Sequence, residues 1–191
     1  MNLVFRVLWV LLAAFFRPRL DHVLAPSRLT LRVLPNDLDT NFHMNNGRYL
    51  TIMDLGRFDL ILRTGLYRLM LRHKSVPILS AATIRYRLPL DPFQRFHLDT
   101  RVVCWDEKWV FMEQRFIYAD GGRQGAVAAI GLVKGSFYDK AARQTLPTQL
   151  LLDELGIADH SPAFPPEINA WQAAEDALRA VTSGPADGNR A

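Results

Sequence analysis

The sequence predicts an α+β fold in which an antiparallel five-stranded sheet curls round one long central helix. One segment of helical periodicity follows a single alternating strand and precedes four more alternating strands. Because one helix cannot cover both faces of such a sheet, a sheet that curls round the helix is the economical arrangement. A single curled sheet leaves a long unpaired edge, so we expect at least a homodimer.

The first segment, residues 1–20, is apolar and is a candidate membrane anchor. From Leu3 to Phe16 every residue except Arg6 is apolar, and Arg17-Pro18-Arg19 ends the run. A helix of this length reaches roughly 21 Å, which is less than the hydrocarbon core of a bilayer at about 30 Å. Apolar side chains lie all round this helix, so it must be buried in something. A short anchor flanked by arginines is the favoured interpretation. The alternative is a helix docked on the protein's own domain or on a partner subunit.

The five strands are predicted from alternation of apolar and polar residues. They span Arg28–Leu34, Val76–Leu88, His97–Trp105, Trp109–Tyr118 and Ala126–Tyr138. A hairpin turn at residues 120–123, with sequence Asp-Gly-Gly-Arg, joins the last two strands.

The central helix carries a start signal and a stop signal. Either Asn45 or Asn46 can cap its first turn, and Gly65 ends it.

The C-terminal part of the chain is predicted to be partly helical. A short closing helix is predicted from Leu150 to Gly156. Residues 158–191 predict a proline-rich linker, a short amphipathic helix at Trp171–Val181 and a disordered tail.

Composition and charge exclude several classes of protein. The single cysteine, Cys104, excludes an intramolecular disulfide, and the five histidines have no zinc-ligand spacing, so we expect no metal. The net charge of +4 is mild, and no nucleic-acid motif is present, so no nucleic-acid partner is expected. Basic residues of the central third suit a phosphorylated cofactor, another polyanion or an acidic membrane; the alternative is a solvated face.

A turn dense in polar residues, Asp37 to Asn46, lies between two apolar segments. Turns and helix caps favour Asp and Asn, which accounts for part of this composition. In addition, Asp39, Asn41 and His43 alternate, which in an extended segment points the three side chains the same way. Asp37 has the opposite phase to Asp39, and we expect its substitution to be mild.

The predicted helix begins immediately after this turn. Backbone N–H groups near Asn46 and Gly47 can polarise a carbonyl oxygen at such a helix end. A carboxylate beside a helix N-terminus is a working arrangement for adding water to an acyl group. Asp54 is a weaker candidate for a second catalytic carboxylate, because Arg57 at helical spacing favours an ion pair.

The stretch Asp39 to Tyr49 resembles the signature of hot-dog-fold acyl-CoA thioesterases, the 4-hydroxybenzoyl-CoA thioesterase-like superfamily. Plant acyl-carrier-protein thioesterases share the pattern Asp-x-Asn-x-His-Val-Asn-Asn, which the sequence matches apart from Met44. The longer resemblance is to the thioesterase superfamily member six group. It covers residues 32–35, 37–39, 43–46 and 48–50, more loosely 104–107, and a tail of Pro165-Pro166-Glu167 followed by Trp171.

The resemblance implies a hot-dog domain at residues 24–157 that hydrolyses acyl thioesters of coenzyme A or acyl carrier protein without a cofactor. It implies dimers or tetramers with active sites at the subunit interface. Asp39 would be the nucleophile or general base, Asn41 and His43 would assist it, and N–H groups near Asn46 and Gly47 would hold the oxyanion. We expect further substrate contacts from Tyr49, Arg85, Arg87 and Arg95. The three arginines would bind the phosphates of coenzyme A.

Two alternatives share this fold. One is a non-catalytic protein that binds acyl thioesters or acts as a scaffold, and the other is a hydratase or dehydratase. The expected location is cytoplasmic, with membrane association through the N-terminal segment.

Overall fold

A computed structural model describes residues 2–157 and 160–182 of the chain. The predicted disordered tail from Ser183 lies outside the described residues. The chain divides into two compact units between Ser161 and Pro162. The second unit contains a helix from Pro166 to Thr182 (α5), which begins five residues before the predicted Trp171.

The first unit contains the sheet and the helices that pack on it. In chain order its described elements are α1 Asn2–Phe16, β1 Ser27–Arg32, a 3₁₀ turn Pro35–Asp37, α2 Asn46–Thr64, α3 Leu66–Arg72, β2 Ser75–Tyr86, β3 Arg95–Trp105, β4 Val110–Tyr118, β5 Val127–Asp139, β6 Gln144–Leu146 and α4 Thr148–Glu154.

The sheet is antiparallel, as predicted, and has the order β1-β3-β4-β5-β2. The expected strand number was wrong, because a sixth strand, β6, pairs with Phe137–Asp139 at the end of β5. At three residues β6 is too short for alternation to reveal it. Gly65 ends α2 with a left-handed φ of 82°, as predicted, but helix resumes at once as α3, which the sequence had not indicated.

Close contact between α2 and the sheet sets the position of the helix. Ile52, Met53 and Leu55 are fully buried. At Gly56 a Cβ atom would overlap Thr100 Oγ1 and lie 2.8 Å from Gln114 Nε2, so only glycine permits this approach. The first turn of α2 is capped as expected, because Asn45 Oδ1 accepts the N–H of Gly47 at 2.8 Å.

Helix α1 is docked on its own domain, which is the alternative that the sequence left open. Leu3, Val7 and the fully buried Val10 pack in the main hydrophobic core. Arg17, which follows α1, donates from Nη1 to Oδ1 of the buried Asp59 at 2.8 Å. No described helix is long and apolar enough to cross a membrane.

The other face of α1 is apolar and exposed. Phe16 is 87% exposed, and the remaining large apolar side chains of this face are each at least 48% exposed: Val4, Phe5, Leu8, Trp9, Leu12 and Phe15. Helix α1 is therefore apolar on both faces: one face packs in the core and the other is exposed.

Asp37 is a completely buried carboxylate that joins three elements. Its Oδ2 accepts Nη2 of Arg6 in α1 at 2.6 Å and the N–H of Leu34 after β1 at 2.9 Å. Its Oδ1 accepts Nη2 of Arg48 in α2 at 2.8 Å. The expectation that substitution of Asp37 would be mild, because its side chain points away from the Asp39 row, is therefore wrong for the stability of the fold.

We expect Asp37→Asn to lower the free energy of unfolding by about 3 kcal/mol, because it leaves two arginines without their buried counter-charge. Urea denaturation followed by circular dichroism measures the change. Asp21→Asn, on the exposed segment after α1, is the control and should stay within about 0.5 kcal/mol. Equal stability of the two variants would contradict the assigned role of Asp37.

Candidate active site

The polar turn is a tight loop and not an extended segment, so the alternation premise was wrong. Leu38 and Met44 form a bridge across its base, and the N–H of Asp39 donates to the His43 carbonyl at 2.9 Å. Asp39 Oδ1 accepts the N–H groups of Asn41 at 2.8 Å and His43 at 3.3 Å. Such side-chain to backbone bonds compete with extended structure and close the loop.

The Asp39 carboxylate contacts the backbone N–H groups of Asn41 and His43. The side chains of Asn41 and His43 lie in different surroundings. The Asn41 side chain is exposed. The His43 imidazole lies beside another carboxylate, with Nε2 3.5 Å from Oδ1 of Asp91. Sequence reasoning missed Asp91, since it lies 48 residues further along the chain and no local spacing links it to His43.

The first turn of α2 lies next to the loop, as predicted. Asn46 and Gly47 are exposed there, and the N–H of Gly47 is already bonded to the Asn45 cap. Tyr86, at the end of β2, donates its hydroxyl to the Asn46 carbonyl at 2.9 Å and so ties the helix start to the sheet. Burial raises the pKa of Tyr86. The sequence offered no signal for this contact beyond placing Tyr86 in a strand.

Tyr49 lies in the core beneath the loop. It is 2% exposed, and its ring centroid lies 5.1 Å from that of Tyr86 and 4.8 Å from that of Phe116. Burial raises its pKa above the ordinary value, so the hydroxyl stays protonated at neutral pH. Tyr49 therefore packs in the core below the candidate site and is not exposed at its surface.

The three arginines expected to hold coenzyme A phosphates are not brought together. Arg85 is exposed on β2, and Nη1 of Arg87 donates to the Val127 carbonyl at 3.4 Å. Arg95 begins β3, which is separated from β2 by β4 and β5. Three strand spacings amount to roughly 14 Å, so Arg95 belongs to a different surface.

Asp54 forms the ion pair with Arg57 that helical spacing predicted. Arg57 also donates from Nη1 to Gln114 Oε1 at 2.9 Å, and burial lowers its pKa. Gln114 is itself buried and donates to the Met53 carbonyl at 2.8 Å. The pair therefore belongs to a network that joins α2 to the sheet.

An apolar cavity of about 290 Å³ lies under the C-terminal half of α2. Its lining includes Phe58 and Ile61 of α2, Leu79 of β2, and Val102, Trp105 and Met112 of the sheet. Asp54, also in the lining, follows Asn46 by eight residues, or about 12 Å along the helix. The polar loop and the cavity thus lie at opposite ends of α2 in one chain.

Cys104 is a buried thiol in β3. Among residues 2–157 and 160–182, no three His, Cys, Asp or Glu side chains are grouped so as to hold a metal ion.

Residues 33–172 match the family model of the thioesterase-like superfamily. The chain belongs to this superfamily. The match includes the polar loop, α2 and strands β2 to β6, which are the elements that build the candidate site.

Individual relatives agree with this assignment. Protein THEM6 of Xenopus laevis is 33% identical over 163 residues, which cover 85% of this chain and 74% of the frog protein. The probable thioesterase YbaW of Escherichia coli has a similar fold, with a TM-score of 0.62 and 21% identity over 68% of this chain and 96% of that one. Slr0204 of Synechocystis, a 1,4-dihydroxy-2-naphthoyl-CoA thioesterase, has a TM-score of 0.58 and 12% identity over 71% and 97% of the two chains. The fold is therefore the hot-dog fold of thioesterases, as the resemblance implied.

Phe42, at the tip of the polar loop, is 72% exposed and has a left-handed φ of 59°. This conformation costs a non-glycine residue roughly 1–2 kcal/mol, and Asn tolerates it better than Phe. We expect Phe42→Asn to raise the free energy of unfolding by about 0.5–1 kcal/mol, measured by urea denaturation. Leu71→Asn, at an exposed position in α3, is the control and should not stabilise the protein. A loss of stability in Phe42→Asn would show that the exposed ring holds the loop.

Proposed function

We propose that Asp39 is the nucleophile or general base of an acyl-thioester hydrolase, and that the polar loop is its active site. Membership of the thioesterase-like superfamily and the hot-dog fold support thioester hydrolysis in general. The observation that carries the assignment is the state of the Asp39 carboxylate. One oxygen, Oδ1, accepts hydrogen bonds from two backbone N–H groups. In this proposal the other oxygen, Oδ2, reacts with water or with the thioester near the N-terminus of α2.

The proposed reaction adds water across the thioester. As a general base, Asp39 takes a proton from water while the water oxygen bonds to the carbonyl carbon. The carbon–sulfur bond then breaks, and the proton passes to the thiolate, which gives a free acid and a thiol. As a nucleophile, an Asp39 carboxylate oxygen would bond to the carbonyl carbon and expel the thiolate, which gives an anhydride; water then hydrolyses the anhydride to the free acid and the Asp39 carboxylate, and its released proton goes to the thiolate.

The developing oxyanion lies at the start of α2 in this proposal, where the helix end favours negative charge. The Asn46 N–H is the favoured donor, because the N–H of Gly47 is bonded to Asn45 Oδ1 and would first have to leave that cap. Asn41 and His43 assist by closing the loop on the carboxylate. Asp91 supports the imidazole of His43 from the other side.

The proposed substrates are acyl thioesters of coenzyme A or acyl carrier protein. The apolar cavity under α2 suits an acyl group, but it lies at the far end of the helix from Asp39 in the same chain. A two-fold dimer joined at β2, the strand at one end of the sheet order, would run the two α2 helices antiparallel. Each polar loop would then approach the cavity of the partner, so the dimer would bring the catalytic carboxylate and the acyl-binding cavity together.

The same proposal places the protein at a membrane surface. The exposed face of α1 carries seven large apolar side chains, including Phe5, Trp9 and Phe16. Because the opposite face of α1 is docked in the core, the helix would lie in the plane of the membrane surface and not cross it.

We expect Asp39→Asn to lower kcat/KM for acyl-CoA hydrolysis by roughly 10²–10⁴-fold, the range of a lost general base. Asn can accept the same two N–H groups through its carbonyl oxygen, so folding should be unchanged. Release of free thiol from a panel of acyl-CoAs measures the rate.

Asp139→Asn is a matched control for this experiment. Asp139 Oδ1 likewise accepts two backbone N–H groups, from Ala141 at 2.7 Å and Ala142 at 2.9 Å, in the turn after β5. If Asp39 only closed its loop, the two variants would behave alike, and that result would reject the catalytic role. Acyl-CoA binding by the wild type without any turnover would instead favour the non-catalytic binding protein.

The dimer requires pairing at the outer edge of β2, where Ile78, Leu79 and Tyr86 are substantially exposed. We expect Thr83→Lys, on the exposed side of this strand, to raise the dimer dissociation constant by roughly fivefold, because like charges oppose edge pairing. Light scattering at micromolar concentration measures it. Ala141→Lys, on the exposed turn after β5, is the control and should leave the dimer intact. A monomeric wild type would refute the assembly.

A further inference from the structure

Three residue pairs face each other across β1 and β3 on the side of the sheet away from the core. Arg28 forms an ion pair with Asp99 at 2.6 Å, and Thr30 Oγ1 lies within hydrogen-bond distance of His97 Nδ1 at 3.0 Å. The third pair is Arg32 opposite Arg95. The first two pairs attract, whereas the third places two positively charged residues at directly opposed positions of the strands.

Opposed like charges on neighbouring strands destabilise a sheet. Arg95 has one partly exposed ion pair, with Oδ2 of Asp120 3.9 Å from its Nε, and an exposed pair of this kind offsets the repulsion only weakly. An anion between the two arginines would convert the repulsive pair into a binding site.

An open groove of about 490 Å³ lies at this position. It is lined by Arg32 and Arg95, by Thr30 of the same strand face, and by Arg6 of α1. Arg6 is more than nine-tenths buried, and although its Nη2 is bonded to Asp37, its Nη1 makes no hydrogen bond within the described residues. A buried guanidinium nitrogen without a partner is costly, and a negative charge in the adjoining groove would offset part of that cost.

Phe5 and Trp9 complete the groove, and both also belong to the exposed apolar face of α1. The cationic groove therefore opens at the same surface as the apolar face. Aromatic and apolar side chains beside arginines are the pattern of a surface that enters the headgroup region of a bilayer.

We propose that this groove binds the phosphate of an anionic phospholipid while the outer face of α1 lies in the same bilayer surface. Arg32 and Arg95 contact the phosphate oxygens, and the buried Arg6 adds positive charge to the wall of the groove. The proposal rests on the membrane association proposed above and is independent of the hydrolytic role of Asp39. It also assigns Arg95 to lipid and not to coenzyme A.

Sedimentation of the full chain with vesicles tests this proposal. The two vesicle types are phosphatidylcholine alone and phosphatidylcholine with added phosphatidylglycerol. We expect wild type to bind the anionic vesicles more tightly, and Arg32→Gln and Arg95→Gln each to weaken that binding by about fivefold, with little change on neutral vesicles.

Arg143→Gln is the matched control, because it removes the same charge from an exposed turn between β5 and β6. A loss with Arg143→Gln as large as with Arg32→Gln would reduce the effect to net charge and overturn the site. Arg32→Gln should also melt at the same or a higher temperature without vesicles, since it removes the repulsive pair. A lower melting temperature would instead show that Arg32 stabilises the fold, and that would count against the site.

Soluble anions separate the two sources of phosphate. Inorganic phosphate and coenzyme A should bind Arg32→Gln and wild type equally in calorimetry. Tighter binding of either to wild type would assign the groove to a soluble phosphate and overturn the lipid proposal. Equal binding of wild type to both vesicle types would overturn the phosphate site but keep membrane association, and no binding to either would overturn both.

Discussion

The buried carboxylate of Asp37 holds together the parts on which the site depends. It accepts guanidinium groups from Arg6 in α1 and Arg48 in α2, and its own carbonyl accepts the N–H of Asn45, the cap of α2. One residue thereby links the N-terminal helix, the end of β1 and the start of the central helix. A buried charge is tolerated only when it is paired, so the positions of all three elements are coupled. The loop of Asp39 begins two residues later and takes its geometry from this link.

Close packing then carries the geometry from the loop into the sheet. Gly56 allows α2 to approach Thr100 and Gln114, and Tyr86 bonds the first residue of α2 from the end of β2. These contacts place the N-terminus of the helix beside the Asp39 loop and its C-terminal half over the apolar cavity. In the proposed function the distance between the two ends is the reason for pairing two chains through β2, since each polar loop would then approach the cavity of the partner. The groove of Arg6, Arg32 and Arg95 lies beside a different strand, so substitutions can test the proposed lipid contact and the proposed hydrolysis separately.

Several features followed from sequence because local physics determines them. Alternation identified β1 to β5, helical periodicity with Asn45 and Gly65 delimited α2, and the spacing of Asp54 and Arg57 indicated their ion pair. The pattern around Asp39 also resembled the family to which the chain belongs. In each case the signal lies within a few residues, where propensity, capping and side-chain spacing decide the outcome.

The amino-acid sequence by itself determined the α+β class, the strands, the central helix and the location of a polar loop at its start. Tertiary structure alone decided that α1 docks on its own domain, because an all-round apolar helix does not reveal which face meets the core. It also decided that Asp37 is buried, since Arg6 lies 31 residues before it and Arg48 eleven after it. Likewise His43 meets Asp91, and Arg95 joins Arg32 rather than Arg85, because strand order brings distant residues together. These are long-range pairings, and no local period in the chain encodes them.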